Sequence, residues 1–218
     1  MGRRLAPLTL DTLPDLPRPC RSCVAWELDP VAARRAAQAG DTAFEKEAWV
    51  SATLLEWGSC GRIAYVDDEP AGFALYAPPA FVPRSLSFPT SPVSADAVLL
   101  MTARVLPMHT GGGLARMLIQ GAAKDLTRRG LRAIEAFGLA AGPASEDPSQ
   151  VPSPEGGCVV PADLLLAVGF KTVRPHHRHP RLRLELKTAL SWREDVEQAL
   201  ERILGTVRQP ALTSVSDG

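Results

Sequence analysis

Apolar and polar positions recur along this chain in short blocks whose period and punctuation predict its elements. Arg4 to Leu10 reads as a first short strand, and Thr12 to Arg21, interrupted by Pro14, Pro17 and Pro19, as irregular. Asp29 followed by Pro30 is an N-cap with proline at the first helical position, predicting a helix to about Ala39 that Gly40 ends. Asp41 is expected to cap a second helix, to about Trp57, stopped by Gly58. Arg62–Val66 and Ala71–Tyr76, around Asp67-Asp68-Glu69-Pro70, predict an antiparallel hairpin. Pro78 to Pro92 holds five prolines and is a loop. Ala95 to Leu106 is the next strand, and a glycine turn joins it to a helix over Leu114–Arg129. Leu131–Phe137 follows as a strand, and Gly138–Gly157, rich in Pro, Ser, Gly and acid, as a loop. Pro161–Val168 predicts a short helix. Phe170–Arg174 and Arg181–Lys187 predict two strands about a basic loop holding His176 and His177. Ser191-x-x-Glu194 is a capping box that opens an amphipathic helix to about Leu204, with a tail from Arg208.

The expected class is therefore α/β (α+β), with a strand–glycine turn–helix–strand unit at the centre of a mostly antiparallel sheet flanked by helices. The expected division is a domain over 1–187, a helical appendage over 188–207 and a disordered tail over 208–218. The Ser191 helix carries Val196, Ala199, Leu200 and Ile203 on one face, which closes the core or pairs with a second subunit; monomer and homodimer both stay open.

Composition narrows the classes. The chain has 218 residues, is 45% hydrophobic, and balances 24 Lys and Arg against 24 Asp and Glu. That is enough for one sizeable core, and a net charge of zero gives no reason to expect nucleic acid or a membrane surface as partner. No apolar run approaches the roughly 20 residues that span a bilayer. The prolines after Met1-Gly2-Arg3-Arg4 break any secretory apolar region, so a cytoplasmic location is expected. Richness in Ala, Arg, Gly and Pro suggests a high-GC bacterial source.

The chemistry concentrates in Val105-Leu106-Pro107-Met108-His109-Thr110-Gly111-Gly112-Gly113-Leu114-Ala115-Arg116. Glycines between a strand and a helix leave backbone N–H groups uncovered, and the positive end of the helix dipole points at the same spot, which suits a phosphate or pyrophosphate. A P-loop is excluded, because no Lys-Ser or Lys-Thr follows the glycines. A dinucleotide-binding turn lacks its third glycine, since Arg116 stands there, and this turn follows a meander rather than a first strand.

The run Val105-x-Pro107-x-x-Thr110-Gly111-Gly112-Gly113-Leu114-Ala115 resembles the signature of the GNAT superfamily of N-acetyltransferases, whose core pattern is Gln/Arg-x-x-Gly-x-Gly/Ala. Leu164-Leu165-Leu166-Ala167-Val168-Gly169-Phe170 is similar to that superfamily's helix ending in Gly-Phe, and the element order agrees from about Leu5 to Lys187. Cys20 to Glu27, Cys-x-x-Cys-x-x-Trp-Glu, is similar to a bacterial subgroup. The resemblance implies transfer of an acetyl group from acetyl-CoA, the cosubstrate, to an amine on a small molecule or a protein. It implies that Arg104, Val105, Thr110, Gly111, Gly112, Gly113, Leu114, Ala115 and Arg116 bind CoA, with the Val105 N–H facing the thioester oxygen. Two departures qualify this: Thr110 stands where Gln or Arg is usual, and Leu165 stands where many relatives carry a Tyr that protonates the leaving thiolate.

An amine acceptor needs a base. Glu135, on the strand after the glycine helix and flanked by Ala133, Ile134, Ala136 and Phe137, is the first candidate; a carboxylate paired to Arg132 on the outer sheet face is its rival. Glu27 is the second, against a solvent-facing carboxylate near a helix start. Tyr76 reads as a core or rim residue, and the basic loop Arg174–Arg181 as a solvated hairpin tip rather than an anion contact. Cys20-x-x-Cys23 has the spacing of a zinc half-site or a redox pair, with Cys60 as a candidate third ligand and Cys158 or a His as the fourth. No second Cys-x-x-Cys exists, so packing beside Trp26 is the preferred reading and no metal site is assigned. Two alternatives to the enzyme stand: a catalytically silent acyl-CoA-binding regulatory module, and a thiol or zinc-binding protein.

Overall fold

The computed structural model describes residues 2–141 and 158–186; the Ser191 helix, the tail and most of the Gly138–Gly157 loop lie outside them. Eight strands make one mixed sheet in the order β1-β2-β3-β4-β5-β8-β7, with β6 beside β5. They are β1 (Arg3–Pro7), β2 (Gly61–Val66), β3 (Glu69–Ala77), β4 (Ala97–Val105), β5 (Ala133–Leu139), β6 (Val160–Pro161), β7 (Lys171–Arg174) and β8 (Arg181–Glu185). The helices are α1 (Arg18–Arg21), α2 (Pro30–Ala39), α3 (Thr42–Glu56), α4 (Leu114–Arg128) and α5 (Ala162–Ala167). Only β4–β5 and β5–β6 are parallel; every other pairing is antiparallel.

Within the described residues the predicted order of elements holds, except that the Thr12–Arg21 stretch, expected to be irregular, contains a 3-10 turn over Leu13–Asp15 and α1; the local rules that produced the order are visible. Asp29 accepts hydrogen bonds from the N–H groups of Val31 (2.8 Å) and Ala32 (3.1 Å), and Gly40 ends α2 in the left-handed region. Asp41, expected to cap α3, makes no capping bond: its backbone (φ −95°, ψ 9°) is outside the extended region from which a cap side chain reaches forward. The β2–β3 hairpin turns on two residues only, Asp67 and Asp68, at φ 49° and 67°, so β3 begins at Glu69, earlier than expected. The Pro78–Pro92 loop contains two short 3-10 turns, Pro79–Phe81 and Pro83–Ser87. The two-residue β6 was not foreseen.

Two apolar layers sandwich the sheet. On one face α4 buries Leu114, Leu118, Ile119, Ala122 and Leu126 against Ala74, Val98 and Leu100, and Leu165 of α5 joins them. On the other, Val50 of α3 packs with Ile63, Phe73, Leu75, Leu99 and Met101. Tyr76 belongs to the core, as expected: its hydroxyl donates to Asp125 at 3.1 Å, which also takes Arg62 at 2.7 Å. Among the described residues no helix is long and apolar enough to cross a membrane.

Candidate functional site

The site begins as a fork in the sheet. β4 and β5 pair only from Ala97–Ala133 to Leu99–Glu135. Immediately beyond, β4 takes a bulge: Leu100 faces Tyr76 and Thr102 faces Leu75, leaving Met101 as the extra residue. A bulge adds twist and bends its strand, so the last half of β4 runs on with β3 alone while β5 carries β6 at Gly138 and Leu139.

The open backbone edge of the fork belongs to β4. The Leu106 N–H donates to the Ala71 carbonyl at 2.9 Å. In an antiparallel ladder the groups alternate sides, so Val105, opposite Gly72, and Ala103, opposite Ala74, aim N–H and C=O away from β3 into the fork. Arg104 is the reverse: its backbone faces Phe73. Its guanidinium lies 3.7 Å from the Cys20 sulfur, so it does not share the edge with Val105 as expected. Gly72 lets β3 come this close, since a β-carbon there would sit 2.6 Å from the Arg104 carbonyl oxygen.

At the tip of β4 the chain makes one 3-10 turn, Pro107–His109, and enters the glycines. Gly111 (φ +78°) and Gly113 (φ +76°) are left-handed, and a β-carbon on either would meet nothing within 4 Å. Conformation, not space, demands glycine here. Gly113 is the N-cap of α4, and its carbonyl accepts from the Met117 N–H at 3.1 Å. The N–H groups of Leu114, Ala115 and Arg116 therefore have no partner within the helix and point out of its positive end.

The side chains around the turn serve its shape. The Thr110 hydroxyl donates to the Pro107 carbonyl at 2.9 Å and braces the turn. Arg116 donates to the Ala167 carbonyl at the end of α5 (2.8 Å), so its backbone, not its guanidinium, faces the cradle. Arg3 of β1 donates to the Gly112 carbonyl at 2.7 Å. Sequence reasoning missed it, and 109 residues of separation left no local signal.

The far face of β4 carries charge. Glu27 is 3% exposed, not solvent-facing; one oxygen is paired with the buried Lys46 of α3, and the other accepts the Trp26 N–H at 3.2 Å. A small cavity here is lined by Glu27, Lys46, Cys20, Cys23, Thr102 and Arg104. Trp26 and Cys158 line both this cavity and a wider groove with Arg34 of α2, Phe88 and His179. The basic loop is largely exposed, with Arg174, His177 and Arg178 at the surface, and is tethered at two points: Arg174 donates to the Ser91 carbonyl (3.2 Å) and Thr90 to the His179 carbonyl (2.9 Å).

Glu135 sits at the root of the fork, wholly buried. Arg181 and Arg183 of β8 reach its two oxygens at 3.2 Å each, and the Ser94 N–H donates to it at 3.1 Å. Arg132, the expected partner, is not the one used. A carboxylate set between two guanidiniums is the pole of a buried ion-pair network. Leu165 is buried in the core.

The four cysteines are free thiols, and three of them, Cys20, Cys23 and Cys158, line the small cavity beside β4. Cys20 faces Arg104, Cys60 is buried at the start of β2, and Cys23 meets Cys158 at 3.7 Å. Among the described residues no group of three or more His, Cys, Asp or Glu is arranged to hold a metal ion.

Comparison with solved structures places this fork and turn in a known architecture. The PaiA N-acetyltransferase of Thermoplasma acidophilum, in complex with coenzyme A, is similar at TM-score 0.51 and 12% identity over 85% of this chain and 99% of its own. An N-acetyltransferase from Staphylococcus aureus Mu50 is similar at TM-score 0.52 and 15% identity, over 85% and 99%. YncA of Salmonella typhimurium, a putative acetyltransferase with its cofactor acetyl-CoA, is similar at TM-score 0.51 and 15% identity, over 85% and 95%. No curated protein sequence matches the chain. Residues 20–145, more than half of the chain and including the fork, the glycine turn and α4, match the acetyltransferase (GNAT) family. The chain belongs to the GNAT acetyltransferase family.

Proposed function

We propose that this protein moves an acetyl group from acetyl-CoA to an amine. The observation that carries the reading is the parallel β4–β5 pair that parts after Leu99 and Glu135 and leads β4 into the Gly111–Gly113 turn. The residues fit the cosubstrate. The amides of Leu114, Ala115 and Arg116, with Gly112 between its left-handed neighbours, suit a pyrophosphate. The outward groups of Ala103 and Val105 suit an extended amide-bearing arm.

Acetyl-CoA supplies the acyl group already activated as a thioester. The Val105 N–H is the donor that the β4 edge offers to an oxygen gaining negative charge. Glu27 is the carboxylate placed to take the amine proton, directly or across one water, because it lines the cavity beside β4, where its ion pair with Lys46 keeps it ionised, whereas Glu135 is buried away from that cavity. The groove that shares Trp26 and Cys158 with this cavity is the entry for the acceptor amine. Leu165 has no proton to give and Thr110 is committed to Pro107, so no side chain is assigned to the leaving thiolate.

Incubation with acetyl-CoA and a panel of primary amines, followed by chromatography of CoA and acetylated product, tests the reading. Amine-dependent release of CoA is the expected result. Binding without release would instead support a silent acyl-CoA module, and absence of binding would overturn both.

A further inference from the structure

The Cys-x-x-Cys spacing suggests Cys20 and Cys23 as partners; both line the small cavity beside β4, but the Cys23 sulfur makes its contact elsewhere. The Cys20 sulfur is buried and turned to the Arg104 guanidinium, 3.7 Å away. The Cys23 sulfur instead touches Cys158, which is 135 residues distant in sequence and immediately precedes Val159 and β6. A second contact holds these segments together: the Trp26 indole N–H donates to the Cys158 carbonyl at 3.3 Å. Trp26 is anchored in turn by stacking on Phe88 (5.1 Å between centroids, 6° between planes), which stacks on Phe137 of β5 (4.3 Å, 8°). The two sulfurs are therefore neighbours because a packed aromatic ladder makes them so. Both residues are partly exposed, whereas Cys20 and Cys60 are buried.

We propose that Cys23 and Cys158 form a redox-active thiol pair that hydrogen peroxide converts to a disulfide, tying the segment ahead of α2 to β6 at the mouth of the fork. Sulfurs in contact at 3.7 Å have to close to about 2.05 Å to bond. The electrostatics select the attacking sulfur. The hydrogen bond with Cys158 holds the Cys23 thiol down, to about 6, with the Ala25 N–H and Lys46 acting the same way, against burial and Glu27. The same contact pushes Cys158 up, and burial pushes Cys60 up to about 12. With the Ala25 N–H and Lys46 beside it, Cys23 is assigned within the proposal as the attacking thiolate and Cys158 as the resolving thiol.

The steps balance. The Cys23 thiolate attacks one peroxide oxygen, the O–O bond breaks, and the other oxygen leaves as hydroxide, which takes up the Cys23 proton as water. Cys23 is now a sulfenic acid. The Cys158 sulfur displaces its oxygen, forming the S–S bond, and the Cys158 proton leaves with that oxygen as a second water. Two thiols are oxidised and one peroxide is reduced.

The pair is tested independently of acyl transfer, by thiol titration and peptide mass. Native protein is treated with stoichiometric hydrogen peroxide, unfolded in alkylating reagent and digested. The expected result is loss of two of the four free thiols, with a cross-linked peptide pair carrying Cys23 and Cys158. Cys20→Ser retains that bond, and Cys158→Ser accumulates a dimedone-trapped sulfenic acid on Cys23 instead. In the native protein without peroxide, Cys23 alkylation falls off with acid only near pH 6. A Cys20–Cys23 bond, four surviving thiols, or loss of the bond in Cys20→Ser overturns the proposal.

Discussion

Replacing Gly111 and Gly113 together with valine is expected to weaken acetyl-CoA binding by about 100-fold while barely moving Tm. Both glycines are left-handed, and a β-branched residue held there costs roughly 1–2 kcal/mol. Neither added side chain would clash, because nothing lies within 4 Å of either β-carbon. The exposed turn therefore escapes the strain by relaxing rather than by unfolding the domain. Relaxation rotates the amides at the start of α4 away from a common focus. Binding must restore the focus, so about 3 kcal/mol of strain reappears in the affinity, which is roughly 100-fold. Calorimetric titration of acetyl-CoA measures it. Unchanged affinity would show that the cosubstrate is anchored elsewhere.

The second large effect is expected at Glu27. Glu27→Gln should lower kcat by about 100-fold or more, the usual contribution of a positioned base, with acetyl-CoA affinity unchanged. One complication follows from the burial of its partner: without Glu27 the Lys46 ammonium is left alone in the core, a cost of about 3–5 kcal/mol. The paired variant Glu27→Gln, Lys46→Met removes both charges, so it should recover most of the Tm and remain inactive. Glu135→Gln should behave in the opposite way. Arg181 and Arg183 lose a carboxylate in the sheet interior, Tm falls, and turnover per folded molecule persists. A paired Glu27 variant that turns over normally would remove Glu27 from the mechanism.

The contrast between the two carboxylates shows what was legible in the sequence. Local rules had clear signals: the Asp29-Pro30 start, the Gly40 stop, the alternation of β2 and β3, and the glycines after β4. These depend on neighbours within a few residues, and the structure places them nearly where the pattern does. Partnerships between distant elements had no such signal. Sequence proximity offers Arg132 as a rival partner for the candidate base Glu135, yet strands pair across the sheet, and β8 delivers Arg181 and Arg183 to its oxygens. Glu27 read as solvent-facing because an isolated charge near a helix start is usually exposed, and the burial of Lys46 beside it is a property of α3 packing. Arg3 on Gly112 and Cys158 on Cys23 were hidden for the same reason. The two-residue β6 carries no periodicity at all.

Whether the β4 edge and the glycine turn hold acetyl-CoA is read from the backbone amide spectrum during an acetyl-CoA titration. The largest shifts are expected at Val105 and at Gly112 through Arg116. Shifts confined to the separate groove between α4, α5 and β7, at residues such as Gln120, Val168, Gly169 and Val173, would contradict that placement.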